Sequence, residues 1–173
     1  MALTSNSGEW PCTSTSAVLP EGVRADLDQY VQLLDAKFGP DLVSVVVFGS
    51  RVRGTAKPGS DLDVLVVARG LPVRRWLRYE PFRSGAREVS DEFAAVLSVV
   101  ALTPEEAATV RPYYLGMLSG HVLLRDQGHF FEGVLARLQG RLRELGARRY
   151  LDPDGYEYWD LKPDWKRGDV VTL

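Results

Sequence analysis

Residues 43–68, "VSVVVFGSRVRGTAKPGSDLDVLVVA", decide how this chain folds. From Leu42 to Phe48 the run is β-branched and almost wholly apolar, the pattern of a strand covered on both faces. It ends in Gly49-Ser50. Ten residues separate Ser50 from Asp61-Leu62-Asp63, where a second apolar run begins and continues to Val67. Strand side chains alternate between faces, so Asp61 and Asp63 project together, their Cα atoms ~6.5 Å apart by strand rise. Two carboxylates on one face repel unless a cation sits between them. Such a pair suits divalent ions that orient a triphosphate and stabilise the attacking and leaving oxygens. Hard oxygen donors favour Mg²⁺ or Mn²⁺ over Zn²⁺. Gly49 lets the backbone turn sharply and come close to a ligand. Ser50 brings an amide and a hydroxyl, and "SRVRGTA" opens a short helix whose first amides attract phosphate. Nucleotide contacts are therefore assigned to Gly49, Ser50, Arg51 and Arg53, and metal binding to Asp61 and Asp63.

These residues resemble the signature of the polymerase-β-type nucleotidyltransferase superfamily. Its pattern is a strand ending in Gly-Ser, then Asp-x-Asp on the next strand, and Gly49, Ser50, Asp61 and Asp63 match it residue by residue. The ten-residue gap is similar to that of its minimal nucleotidyltransferases. The resemblance implies an α/β (α+β) fold, a small mixed β-sheet flanked by helices. It also implies transfer of a nucleoside monophosphate from an NTP or dNTP to an acceptor, with pyrophosphate leaving. A third carboxylate, often the general base, is implied on a later strand. Here "AVLSVVAL" carries Ser98 where that acid is expected, and the nearest acids are Asp91 and Glu92. Glu92 joins Asp61 and Asp63 as the third catalytic assignment. Asp160 in the tail is an alternative, and a catalytically weakened binding module is another.

The acceptor is read from the segment that follows. Between Arg69 and Arg87 stand six arginines (69, 74, 75, 78, 83 and 87) against one acid, Glu80, interleaved with Trp76, Tyr79 and Phe82. Basic and stacking groups together are what single-stranded nucleic acid requires. Arg74, Arg75 and Arg78 are assigned to acceptor binding, with a nucleic-acid 3′ end favoured. Minimal members of the superfamily also occur as antitoxins that modify or bind a helical toxin, so a helical protein partner is the rival acceptor.

The remainder of the chain divides into a flexible tail over 1–19, a nucleotidyltransferase domain over 20–125, and a C-terminal helix with a docked aromatic tail over 126–173. Val23, Leu27, Tyr30, Leu34 and Phe38 mark one face of a helix that stops at Gly39-Pro40. A short helix is expected from Pro72 to Tyr79, then a loop, and a third strand over 93–102. Thr103, Pro104 and Glu106 read as a capping box. "HVLLRD" reads as an edge strand, and Phe131 to Leu145 as a second long helix. His121 and His129 have no metal-ligand partner nearby in sequence.

With 173 residues, 45% hydrophobic and 25% charged, the chain can bury roughly two-thirds of its unfolded surface without disulfides. Cys12 is the single cysteine, which fits a reducing compartment. "MALTSNSGEW" is not a secretory leader, and no apolar run reaches a membrane span of ~18 residues. A cytoplasmic protein without membrane attachment is expected. The net charge of −2 leaves polyanion binding open, because clustering of charge decides it.

Overall fold

A computed structural model describes residues 19–152 and 157–173, together with the backbone of 4–5. The flexible tail expected over 1–19 lies outside the described residues, apart from Thr4–Ser5 (β1) and Leu19. Leu19 is buried against the core.

The centre is a four-stranded mixed sheet. Leu42–Phe48 (β2) pairs antiparallel with Leu62–Ala68 (β3), and all but one of their side chains are buried. Both runs are covered on two faces, as their unbroken apolar sequence requires. Leu97–Leu102 (β4) lies parallel to β3, and His121–Asp126 (β5) lies antiparallel to β2, giving the order β4-β3-β2-β5. Alternation then sorts the core into two layers. Val45, Val47, Val64 and Val66 face Leu27, Tyr30 and Leu34 of the helix Glu21–Phe38 (α1), with Phe82, Ala86 and Phe93. Val46, Phe48, Leu65 and Val67 face Tyr114, Met117 and the apolar stripe of a C-terminal helix, Phe131, Val134, Leu135, Leu138 and Leu142.

Between β2 and β3 lies the short helix Ser50–Arg53 (α2). The parallel β3–β4 pair needs a crossover, supplied by a 3-10 turn at Arg75–Arg78 and the helices Tyr79–Val89 (α3) and Asp91–Val96 (α4). Here the sequence expectations need correction. The segment after Tyr79, expected as a loop, is helical: Pro81 falls in the first turn, where its missing amide costs nothing, and Phe82 and Ala86 are buried one turn apart. The strand expected from Phe93 begins only at Leu97. The Ser90 side chain accepts from the Phe93 amide at 3.0 Å, and that cap holds residues 91–96 as a helix.

After β4, Pro104–Ala108 (α5) carries the expected capping box, with the Glu106 amide donating to Thr103 Oγ1 and the Thr103 amide donating to Glu106 Oε2. Pro112–Met117 (α6) leads into β5, and Phe130–Glu144 (α7) follows it. Buried Ser44 donates to Asp126 Oδ1 at 2.6 Å, while Asp126 accepts the Phe131 and Glu132 amides, fastening α7 to the sheet. The tail forms an antiparallel hairpin, Arg148–Leu151 (β6) with Glu157–Asp160 (β7), and β1 pairs on its other side. Trp159, Leu161 and Leu173 pack on the second layer, whereas Trp165 is 56% exposed. Among the described residues no helix is long and apolar enough to cross a membrane.

Arg78 is the main buried charge. Its guanidinium donates to Pro72 O, Ala101 O and, at 2.5 Å, Glu106 Oε2. Replacing one partner of such a pair strands the other, so Glu106→Gln should lower unfolding free energy by about 2 kcal/mol. Asp28→Ala, which breaks the exposed Arg24–Asp28 pair, should change it by under ~0.5 kcal/mol. Urea unfolding of the two variants checks the contrast.

Candidate active site

The antiparallel register of β2 and β3 sets Phe48 opposite Asp63, and the parallel register of β3 and β4 sets Asp63 beside Ser98. The end of the first strand, the acid of the second and the serine of the third therefore form one row on one face. Gly49 follows directly. Its φ of 88° and ψ of −162° belong to a region that only glycine occupies comfortably. A Cβ there would stand 2.2 Å from Asp63 Oδ2. The bare backbone of the Gly-Ser turn is thus pressed against the Asp63 carboxylate.

The ten-residue connection is held in a fixed shape. Gly49 O accepts from the Arg53 amide and Ser50 O from the Thr55 amide, forming α2 and its closing turn. The Lys57 amide donates to Ser60 Oγ and the Ser60 amide to Lys57 O. Arg51 donates Nε and Nη2 to Ser60 O at 3.0 and 2.7 Å, tying the start of the loop to the residue before Asp61. Two nitrogens of Arg51, which the sequence assigns to the nucleotide, brace the loop. Arg53 is exposed, and its charge reaches Asp63. Its stem runs over Gly120, where a Cβ would lie 3.3 Å from Arg53 Cγ, and its Nη1 lies beside Gly116. Neither glycine could be identified from sequence, because both act through a residue more than sixty positions away.

Asp61 is exposed and Asp63 half-buried. Burial, and then the like charge of Asp61, raise the Asp63 carboxyl above its ordinary value; a hydrogen bond with Ser98 and the charge of Arg53 act in the opposite sense. A divalent cation fits this donor set: two hard carboxylates repel each other, one is already partly desolvated, and a cation removes both penalties. Among the described residues no group of three or more His, Cys, Asp or Glu comes together. Glu92 stands exposed in the first turn of α4, with Asp91 beside it. His121 Nδ1 lies 2.8 Å from Met117 O, and His129 pairs with Glu132, so both histidines are accounted for locally.

The arginine segment separates into different roles. Arg78 is buried in its ion pair, so it does not join Arg74 and Arg75 as a surface contact. Arg74 is exposed, and Arg75 is 60% exposed with Glu106 at 3.8 Å.

Two predictions follow from this geometry. Gly49→Ala should lower nucleotidyl transfer at least ~100-fold, because the new methyl displaces Asp63 and the backbone strain costs about 1–3 kcal/mol. Initial-rate assays with unchanged circular dichroism check it. A folded-state pKa raised above the unfolded one means that Asp63 stabilises the fold only below about pH 4, and the contribution is lost as pH rises through the folded value. Without divalent metal, Asp63→Asn should therefore melt higher than wild type at pH 7, the gap closing towards pH 4.

Comparison with known proteins agrees with this arrangement. Residues 27–102 match the family described as "Nucleotidyltransferase domain". "Putative protein adenylyltransferase MJ1305" of Methanocaldococcus jannaschii is 29% identical over 147 residues, covering 84% of this chain and 94% of that protein. Among solved structures, a toxin–antitoxin with AMP-PNP aligns at 17% identity over 69% of this chain and 92% of its own, with a TM-score of 0.44. A tri-AMPylated Shewanella oneidensis HEPN toxin in complex with MNT antitoxin aligns at 16% identity over 72% and 92%, with a TM-score of 0.45. The family match over residues 27–102 and the relative similar along nearly its whole length both support a nucleotidyltransferase domain around the Gly-Ser turn and Asp-x-Asp.

Proposed function

We propose that this nucleotidyltransferase moves adenylate from ATP to a hydroxyl of a protein. The observation that carries the transfer chemistry is the contact between the Gly49 backbone and the Asp63 carboxylate. It brings the turn that would cradle a triphosphate against the acids that would hold its counter-ion. The protein acceptor is supported by the Methanocaldococcus relative, whose name specifies protein adenylylation and whose similarity runs through nearly its whole length.

In this reading Gly49 and Ser50 receive the β- and γ-phosphates, with backbone amides and the Ser50 hydroxyl as donors. Arg53 adds positive charge beside Asp63. Asp61 and Asp63 would hold Mg²⁺ or Mn²⁺, which when bound neutralises phosphate charge and makes the α-phosphorus more electrophilic. The acceptor oxygen attacks the α-phosphorus, the bond to the bridging oxygen of the β-phosphate breaks, and pyrophosphate leaves. The hydroxyl proton passes to solvent. Ser98 keeps Asp63 aimed by its hydrogen bond, in the row where a third acid was expected. We place no step on Glu92, which stands exposed on α4.

A polynucleotide 3′ end is the second reading. Arg74, Arg75 and Trp76 favour it, since all three are at the surface and Trp76 is 69% exposed.

Incubation with α-labelled ATP, a divalent cation and either protein extract or a single-stranded oligonucleotide separates the two. Label should enter protein, be lost at least ~100-fold in Asp61→Asn and Asp63→Asn, and stay within about twofold in Glu92→Gln. Label confined to the oligonucleotide would assign the acceptor to nucleic acid. A large loss in Glu92→Gln with unchanged ATP affinity would restore that residue as the base.

A further inference from the structure

The edge of the sheet beside the active site has an open groove of about 470 Å³ that the transfer chemistry does not use. Its floor is aliphatic, formed by Ala94 of α4 with Leu97 and Val99 of β4. Its rim carries Trp76, Tyr79, Arg83 and Arg87. Trp76 is 69% and Tyr79 40% exposed, a large apolar area that no element among the described residues covers. Arg83 and Arg87 lie one turn apart on α3 and are both exposed, Arg87 reaching Glu80 only at 3.8 Å.

Strand alternation excludes this groove as the seat of the transferring phosphate. Leu97 and Val99 register with Leu62 and Val64, on the face that α1 covers, whereas Ser98 registers with Asp63 on the other. Leu97 and Val99 of the groove thus lie on the opposite face of the edge strand from Ser98, which neighbours Asp63, and one residue away in sequence. Among the described residues β4 has β3 on one side only, so its outer edge can receive another strand.

We propose that this edge and its groove are the docking surface for an extended, acidic segment of the acceptor protein, which adds to β4 as a further strand. An apolar side chain at one position enters the groove between Trp76 and Val99. Carboxylates two residues to either side, on the same face, meet Arg83 and Arg87. The residue next to the anchor emerges on the face of Ser98 and Asp63, so its hydroxyl is the one presented for transfer. The inference rests on the protein-acceptor reading for that last step alone; docking stands on the groove. An aliphatic floor beside free strand edge favours a peptide over a polynucleotide, which would need phosphate contacts along its length.

The test uses fluorescein-labelled synthetic peptides and the full chain. The probe peptide carries one leucine, glutamate two residues to each side, a tyrosine adjacent to the leucine and alanine elsewhere. Its control has lysine for glutamate. Anisotropy at low salt should show the glutamate peptide binding about tenfold or more tightly than the lysine one. The double variant Arg83→Glu with Arg87→Glu should weaken it by a similar factor with ATP affinity and melting temperature unchanged, and Val99→Lys should weaken it likewise, its loss read at a temperature where the variant is folded and binds ATP as the wild type does. Equal binding of both peptides, or wild-type binding by both variants, overturns the proposal. A single-stranded oligonucleotide that binds more tightly than the peptide and is lost in the double variant overturns it in favour of nucleic acid. With α-labelled ATP, tyrosine next to the leucine should be labelled and tyrosine two residues away should not; equal labelling overturns the strand register. Binding without any labelling supports docking and counts against the protein-acceptor reading instead.

Discussion

The meeting of the Gly49 backbone with the Asp63 carboxylate is the constraint on which the site depends. It is a consequence of register: with Phe48 opposite Asp63, the residue after Phe48 must turn across that acid or collide with it. Only a residue without Cβ fits, since the first side-chain carbon would sit 2.2 Å from Oδ2. The same turn needs a backbone conformation that disfavours every other residue. One glycine therefore answers two demands, and the loop braced by Arg51 answers a third by returning the chain to Asp61 at a fixed distance.

The scaffold has to be rigid for that contact to mean anything. β2 and β3 are buried on both faces, and specific polar ties brace the sheet and the helices on it: Ser44 to Asp126, Arg125 to Asp35 and Leu42 O, and Tyr30 of α1 to Phe82 O of α3. Against this background the site is locally unfavourable. Asp63 is partly buried beside another carboxylate, with Ser98 and Arg53 offsetting some of the penalty. A folded protein tolerates such a conflict where ligand binding relieves it, and a counter-ion with a triphosphate would do so.

The two central strands were legible in the sequence, and Asp61 and Asp63 stood out as candidates, because each signal is local: apolar runs, a glycine at a strand end, acids two residues apart. Helix α1 and the Thr103–Glu106 box were legible for the same reason. What sequence left open depends on contacts between distant segments. Ser98 could be seen to replace an acid, but its place beside Asp63 follows only from the parallel register. Residues 93–96 look like strand by composition and are helical because Ser90 caps them and Phe93 reaches the core. Arg78 is indistinguishable from its neighbours in sequence, yet it alone is buried, since Glu106 lies within reach across the crossover. Local propensity cannot report a partner twenty-eight residues away.

If the Gly-Ser turn and the acid pair are one device, triphosphate and divalent cation must bind cooperatively. Titration of Mn²⁺ followed by its electron paramagnetic resonance, with and without a non-hydrolysable ATP analogue, measures this directly. The account predicts that the analogue tightens Mn²⁺ binding at least about tenfold in the wild type and has no such effect in Gly49→Ala. Mn²⁺ affinity that is the same with and without the analogue in the wild type would contradict it.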